Sequence, residues 1–254
     1  MDINTIYNED CLETMKRMPD GFIDLTVTSP PYDNLRTYNG FEFDWHKTIE
    51  ELYRVTKDGG VVVWVVGDAT VNGSETGTSF RQALYFKEVG FSLHDTMIYL
   101  KNVCPFPDTN RYYQSFEYMF VFSNGKPSVF NPLKDRINKS FGRTVTGTVR
   151  NADGTTSPKV GLGNRIQPTG VRFNTWLITD GKRQSLHPAV FPEQLAHDHI
   201  ISWSNEGDTI YDPFMGSGTT AVAVRKLNRN YIGSEISKEY CDIAEKRLAQ
   251  EVLL

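Results

Sequence analysis
Residues 22–28, FIDLTVT, alternate apolar and polar and stop at Pro30-Pro31, the pattern of a strand running into a rigid turn. From 45 to 56 the apolar positions Ile49, Leu52, Tyr53 and Val55 suit a helix that ends before Lys57-Asp58-Gly59-Gly60. The next run, VVVWVV at 61–66, is continuously apolar and rich in β-branched residues. Such a run suits a central strand of a parallel sheet, buried on both faces. Residues 79–89 read as a helix up to Gly90, and 91–100, 116–123, 208–211 and 231–236 read as strands. Further helices are expected at 188–201, 218–228 and 237–253. Strands alternating with helices define an α/β fold with a doubly wound, mostly parallel sheet.

The texture changes between 130 and 180. Gly, Thr, Asn and Arg take over, large apolar residues thin out, and neither periodicity nor an internal repeat is visible. Between Lys134 and Arg172 lie eight basic residues: Lys134, Arg136, Lys139, Arg143, Arg150, Lys159, Arg165 and Arg172. Only Asp135 and Asp153 oppose them, so the segment carries +6 within a chain of net charge −4, leaving −10 elsewhere. The whole-chain value argues against a nucleic-acid binder, but the local value reverses that argument. A long, Gly-rich, basic loop reads as a phosphate-contacting insertion in preference to an idle solvated one.

A length of 254 residues fits one large α/β domain with an insertion, and 39% hydrophobic content supplies a real core. No stretch approaches the roughly 20 apolar residues of a membrane span, and the polar N-terminus has no signal-peptide pattern. A cytoplasmic protein is expected. Cys11, Cys104 and Cys241 form no CxxC pair, and His187, His197 and His199 do not complete a zinc set with them, so no metal is expected.

Two segments carry chemistry. Asp212-Pro213-Phe214-Met215-Gly216-Ser217-Gly218-Thr219-Thr220 follows a strand and opens a helix. Its glycines permit a tight turn and close approach to a ligand, and the helix N-terminus favours an anionic group. It lacks the third glycine of a dinucleotide fingerprint and the lysine of a P-loop. Some 20 residues on, Glu235 ends a second strand, where an acid can hold both hydroxyls of a ribose. A nucleoside-containing cofactor is favoured. The other segment is Thr28-Ser29-Pro30-Pro31-Tyr32 at the end of the first strand. The prolines fix the backbone, Ser29 and the proline carbonyls can accept hydrogen bonds from an amino group, and Tyr32 offers a face for stacking a base.

Together these residues resemble the amino-group DNA methyltransferases, which methylate N4 of cytosine or N6 of adenine with S-adenosylmethionine. Thr28-Ser29-Pro30-Pro31-Tyr32 resembles their catalytic segment, and Asp212–Thr220 their cofactor loop. The catalytic segment comes first here, as in the permuted β group of the family. Asn8-Glu9-Asp10-Cys11 resembles the acidic segment beside the cofactor adenine, and Ile236 follows the ribose acid. His187-Pro188-Ala189-Val190-Phe191-Pro192 resembles the helix start over the methionine end of the cofactor, which implicates Pro188 and Phe191. Phe116–Phe122 resembles the strand before the recognition region.

The resemblance implies a Rossmann-like methyltransferase domain from 1–129 and 181–254, with target recognition in 130–180. It implies Ser29, Pro30, Pro31 and Tyr32 as catalytic, and Asp10, Cys11, Thr28, Asp212, Phe214, Gly216, Ser217, Gly218, Thr219 and Glu235 at the cofactor. Double-stranded DNA is the implied substrate; a homodimer and a restriction endonuclease partner stay open. Ser29 leans toward cytosine, because adenine enzymes more often carry Asp there. Cys104, in a Cys-Pro order without a following glutamate, reads as a packing cysteine and not as the nucleophile of a carbon-5 enzyme. His94 and Asp95 read as a strand-surface pair, Asp68 as a supporting residue at a strand end, and Asp33 as either a pocket contact or a turn carboxylate. Release-factor glutamine methyltransferases share a Pro-Pro-Tyr segment but begin it with Asn and place the cofactor loop before it. A binding module that merely kept the fold would not need Ser29, Tyr32, Gly216, Gly218 and Glu235 intact.

Overall fold
The structure is a computed structural model that describes residues 1–31, 43–101, 109–179 and 191–250. Two units are present, one formed by Met1–Asn131 with Asn174–Leu254 and the other by Pro132–Phe173.

The first unit begins with β1 (Thr5–Tyr7), α1 (Cys11–Lys16), β2 (Ile23–Thr28), α2 (Trp45–Val55) and β3 (Thr56–Val66). A small ribbon of β4 (Thr70–Val71) and β5 (Ser74–Glu75) leads to α3 (Thr78–Val89), β6 (Ser92–Leu100) and β7 (Phe116–Ser123). The second unit contributes β8 (Arg136–Ile137), β9 (Thr148–Arg150), β10 (Thr156–Pro158) and β11 (Thr169–Gly170). The first unit then resumes with β12 (Thr175–Leu177), α4 (Glu193–Trp203) and β13 (Thr209–Asp212). It closes with α5 (Thr219–Lys226), β14 (Asn230–Ser234) and α6 (Lys238–Gln250).

Eight strands form one sheet in the order β1-β14-β13-β2-β3-β7-β6-β12. Only β7 runs against the rest, pairing antiparallel with both β3 and β6. This is the doubly wound, mostly parallel sheet that the sequence predicts. The strand order leaves its centre in two directions, from β2 to β3 on one side and from β13 to β14 on the other. Ligands of such sheets bind at that reversal, beyond the carboxyl ends of the strands.

Burial of β3 explains its composition. Val61 to Val66 are each at most 1% exposed. Val62, Trp64 and Val66 enter a core with Met15, Ile49, Leu52, Phe86 and Phe122, drawn from α1, α2, α3 and β7. Val61, Val63 and Val65 point to the opposite face, since side chains alternate along a strand. Helices pack on one another in two sets, α1 with α2 and α2 with α3, and α4 with α5 and α5 with α6. Water is kept from both faces.

Several expectations are corrected. The helix over 45–56 ends at Val55, before Lys57-Asp58-Gly59-Gly60 as expected, but β3 begins earlier than VVVWVV and takes in those four residues as a bulge, since Ile23 pairs with Thr56 and Leu25 already with Val61. Gly59, at φ +76°, donates its N–H to the Asn124 carbonyl at 2.6 Å and absorbs the extra residues. The helix expected from 188 begins among the described residues at Glu193, with Pro192 as its N-cap. Edge strands β1 and β12, three residues each, show no sequence pattern because so short a strand has no period.

The segment expected to be irregular and free of repeats is ordered and internally repeated. The second unit is a single antiparallel β-arm. Arg136 faces Gly170, Thr144 bridges Arg165, and Thr148 to Arg150 pair with Pro158 to Thr156. Its tip closes through Asn151, whose N–H donates to the Thr155 carbonyl at 2.8 Å. A shift of 21 residues carries one half of the arm onto the other. Val145 N–H donates to Asn164 O and Ile166 N–H to Arg143 O, each at 2.9 Å. Gly142 N–H donates to Ile166 O at 3.1 Å and Gly163 N–H to Val145 O at 3.0 Å. Both glycines lie in the left-handed region, at φ +82° and +85°. The hydrogen bonds thus define a local pseudo-two-fold axis. It is invisible in sequence because Gly142/Gly163 and Thr148/Thr169 are the identities the shift leaves along 136–150.

Candidate active site
Parallel pairing of β13 with β2, Ile210 opposite Leu25 and Tyr211 opposite Thr26, brings the two chemical segments to the same edge of the sheet. They are joined directly. Thr28 Oγ1 donates to Asp212 Oδ1 at 2.6 Å, Thr220 Oγ1 donates to Asp212 Oδ2 at 2.6 Å, and Phe214 N–H donates to Asp212 Oδ1 at 3.0 Å. Asp212 is wholly buried, which pushes its carboxyl above the ordinary value, while these three hydrogen bonds pull it down. A buried carboxylate with three donors fixes the end of β2, the cofactor loop and the start of α5 in one geometry.

The loop between β13 and α5 is pinned at both ends. Met215 N–H donates to the Ser234 carbonyl at 2.9 Å. Gly218, the N-cap of α5, sits at φ +83°, and a side chain there would come within 2.7 Å of Ala244 Cβ. Only glycine meets both conditions. Arg247 in α6 donates to Ser217 O at 2.7 Å and to Ser217 Oγ and Thr219 Oγ1 at 3.2 Å. The sequence gives no sign of this clamp, since Arg247 reads as an ordinary surface residue of the last helix.

Glu235 follows β14. Its Oε2 accepts Gly216 N–H and its Oε1 accepts Ser237 N–H, each at 2.8 Å. Burial raises its pKa against these hydrogen bonds. Each carboxylate oxygen has a second lone-pair site, so two hydroxyls can still be bound. Asn8 Nδ2 donates to Glu235 O at 2.8 Å and Ile236 O at 3.1 Å, tying the end of β1 to the same edge. Asp10 caps α1, accepting Leu12 N–H at 2.7 Å. Cys11 is buried with its thiol pushed up to about 12 by desolvation, so it serves packing. Phe214 meets Phe43 edge-on at 5.0 Å and Trp64 at 6.3 Å, giving the loop an apolar wall.

Ser29 and Pro31 are half-buried and Pro30 is buried at this edge. Phe191 is half-buried immediately before the N-cap of α4. Tyr32, Asp33, Cys104, His187 and Pro188 lie outside the described residues. Asp68 has a structural task, because its Oδ1 accepts Ser79 N–H at 2.9 Å and its Oδ2 accepts Ser79 Oγ at 2.5 Å, capping α3. His94 packs edge-on against Trp203 at 5.5 Å, and Asp95 accepts Asn174 Nδ2 at 3.2 Å.

The basic residues of the arm fall into two sets. Arg172 binds Asp135, with its Nε at 3.0 and 3.1 Å from the carboxylate oxygens. Arg136 Nε donates to Val171 O at 2.9 Å, and its guanidinium lies 4.7 Å over the Phe173 ring. Those two are committed to the arm itself. Lys134, Lys139, Arg143, Arg150, Lys159 and Arg165 are exposed and pair with no carboxylate among the described residues.

The fold is that of an α/β enzyme with a nucleoside-cofactor edge, and the comparisons give its family. A family model described as DNA methylase, of the N6/N4 type, matches residues 23–246. The chain belongs to that family and is a DNA methyltransferase dependent on S-adenosylmethionine. It is 60% identical over 244 residues to the orphan methyltransferase M.BamHII of Bacillus amyloliquefaciens, covering 92% of each chain. It is 28% identical to the type II methyltransferase M.HpaI of Haemophilus parainfluenzae, over 95% of this chain and 73% of that one. Among solved structures, the cytosine-N4-specific PvuII DNA methyltransferase superposes with a TM-score of 0.70 at 21% identity, over 97% of this chain and 86% of that one. No helix among the described residues is long and apolar enough to cross a membrane.

Proposed function
We propose that the protein methylates N4 of cytosine, flipped out of double-stranded DNA. The observation that carries this reading is the 2.6 Å hydrogen bond from Thr28 to Asp212, which couples the Ser29-Pro30-Pro31-Tyr32 segment to the cofactor loop. Bound S-adenosylmethionine supplies a methyl group already activated on a sulfonium. The chain's task is therefore in-line positioning of the amine.

Glu235, held by the N–H groups of Gly216 and Ser237, would bind the two ribose hydroxyls of the cofactor, and Asp10 and Ile236 would flank its adenine. Phe214 and Phe191, with Pro188 by resemblance, would shield the methionine end. The Ser29 hydroxyl and the Pro30 carbonyl accept the N–H groups of the target amine, orient it and raise electron density on its nitrogen. Tyr32 stacks on the extruded base, a contact worth about 1–3 kcal/mol. That contact helps offset the few kcal/mol lost in unstacking. No covalent intermediate on the base is formed. Serine in the first position of the segment supports cytosine over adenine. The arm's six exposed cations, which pair with no carboxylate among the described residues, contact DNA phosphates.

The test incubates the protein with duplex DNA and methyl-labelled S-adenosylmethionine, then digests to nucleosides for mass spectrometry. N4-methylcytosine is expected. N6-methyladenine alone would move the target to adenine, and label on neither base would overturn the reading. Single-molecule sequencing of DNA from expressing cells then gives the sequence context.

A further inference from the structure
We infer that the arm reads base edges with two quasi-equivalent apolar turns, Phe141 in one half and Leu162 in the other, acting as a pair. The inference rests on the arm being a DNA-contacting element and goes beyond its charge. Phe141 and Leu162 are related by the 21-residue shift, and each directly precedes a glycine in the left-handed region. Each N–H closes the same turn, Phe141 to Asn138 O at 3.1 Å and Leu162 to Lys159 O at 3.0 Å. The side chains stay outside: Phe141 is 64% exposed and Leu162 51%. Val160, beside the second turn, is 99% exposed. By contrast Val145 and Ile166, also related by the shift, are half-buried within the arm. The arm thus half-buries one equivalent apolar pair and displays another.

A single exposed apolar side chain is ordinary on a surface, but two at equivalent turns, each rimmed by exposed cations, mark an interaction surface. Charge complementarity selects the cover. The turns are flanked by Lys139, Arg143, Lys159 and Arg165, exposed cations without carboxylate partners among the described residues. A second copy of the arm would bring +6 against +6, whereas a polyanion neutralises it. A major groove about 12 Å wide admits a two-stranded β-ribbon and presents thymine methyls as apolar partners. Cations on phosphates position the ribbon, and the turns discriminate among bases. The side chains around the axis are not themselves symmetric, since Arg143 corresponds to Asn164 and Thr144 to Arg165. Equivalence therefore applies to the backbone and the apolar turns, not to every contact.

The experiment uses the full chain with the duplex found by sequencing and a scrambled duplex of equal length. Phe141→Ala and Leu162→Ala are each expected to lower the ratio of specific to non-specific binding about tenfold, with an unchanged salt slope. The double variant is expected near a hundredfold. Phe141→Leu and Leu162→Phe, which keep an apolar turn, should retain most of the discrimination. Undiminished discrimination in the double variant would overturn the inference, as would an effect confined to one turn. Sedimentation showing that the alanine variants turn dimers into monomers would assign the turns to a second copy instead. Arg143→Gln with Arg165→Gln separates the two levels: a flattened salt slope with unaltered discrimination in Phe141→Ala/Leu162→Ala leaves the arm as a phosphate contact alone. An unchanged slope removes the arm from DNA altogether.

Discussion

The two units of this chain solve opposite problems. In the first, polar groups at the site are buried and satisfied: Asp212 takes three hydrogen bonds and Glu235 two, in geometries set by strand pairing and backbone N–H groups. In the second, most cations are exposed and lack carboxylate partners among the described residues, and large apolar side chains stand in water. A reaction that depends on in-line geometry needs the rigidity of the first arrangement. Binding a polyanion needs the open charge of the second, since pairing those cations internally would cancel the counterion release that drives association. The difference teaches that one chain's net charge of −4 describes neither region.

The comparison breaks most visibly at the catalytic segment. Ser29→Ala is expected to lower the methylation rate at least a hundredfold (~2.7 kcal/mol of barrier), while calorimetry shows cofactor binding nearly unchanged. Full methylation by this variant would remove Ser29 from the chemistry. Next in size, Asp212→Ala leaves Thr28, Thr220 and the Phe214 N–H without their acceptor. A loss of about 3 kcal/mol in unfolding stability is expected, read by denaturant titration. Arg143→Gln and Arg165→Gln should leave that stability within about 0.5 kcal/mol.

The same pair of arginine variants sharpens the comparison from the other side. Removing two phosphate contacts should reduce the slope of log K against log salt by about 1.8. Cofactor affinity should not move. Arg136→Gln and Arg172→Gln should change the slope less, because Arg136 is engaged with Val171 and Phe173 and Arg172 with Asp135.

The smallest expected effect is one of pH. Burial holds the Glu235 carboxyl above the ordinary 4.5, so it takes up a proton at a higher pH than a solvated glutamate. The ribose hydroxyls need the carboxylate, and cofactor affinity should therefore fall as pH drops, with its midpoint above 4.5. Stability follows the opposite sign: the folded chain holds this proton longer than the unfolded one, so the Glu235 contribution declines as pH rises through that window. Calorimetry across pH checks the first, and Glu235→Gln should abolish the affinity step.

Legibility was uneven for physical reasons. Long periodic or uniformly apolar segments such as β3 and helices α2 to α6 announced themselves, as did the two glycine- and proline-bearing segments, because their local backbone demands restrict residue type; six-residue α1 is too short to show a helical period. Three-residue strands such as β1 and β12 carry no period. The Arg247 clamp and the Thr28–Asp212 bond were not legible as contacts, since they join residues 30 and 184 positions apart. Residues 130–180 read as irregular, because the exposed arm within them has little core to impose apolar alternation.

The sequence by itself determined the family of chemistry: an amine-orienting segment, a nucleoside-cofactor loop, an acid beyond it, and a basic segment between. Those follow from what each residue type can do and from local backbone restrictions. Only the tertiary structure decided which groups act together. Parallel pairing of β2 with β13 placed one segment against the other, and antiparallel pairing folded 42 residues into an arm with a pseudo-two-fold axis. Hydrogen bonds between residues distant in sequence leave no imprint on residue type beyond the need for a donor and an acceptor, and that is why the fold had to supply them.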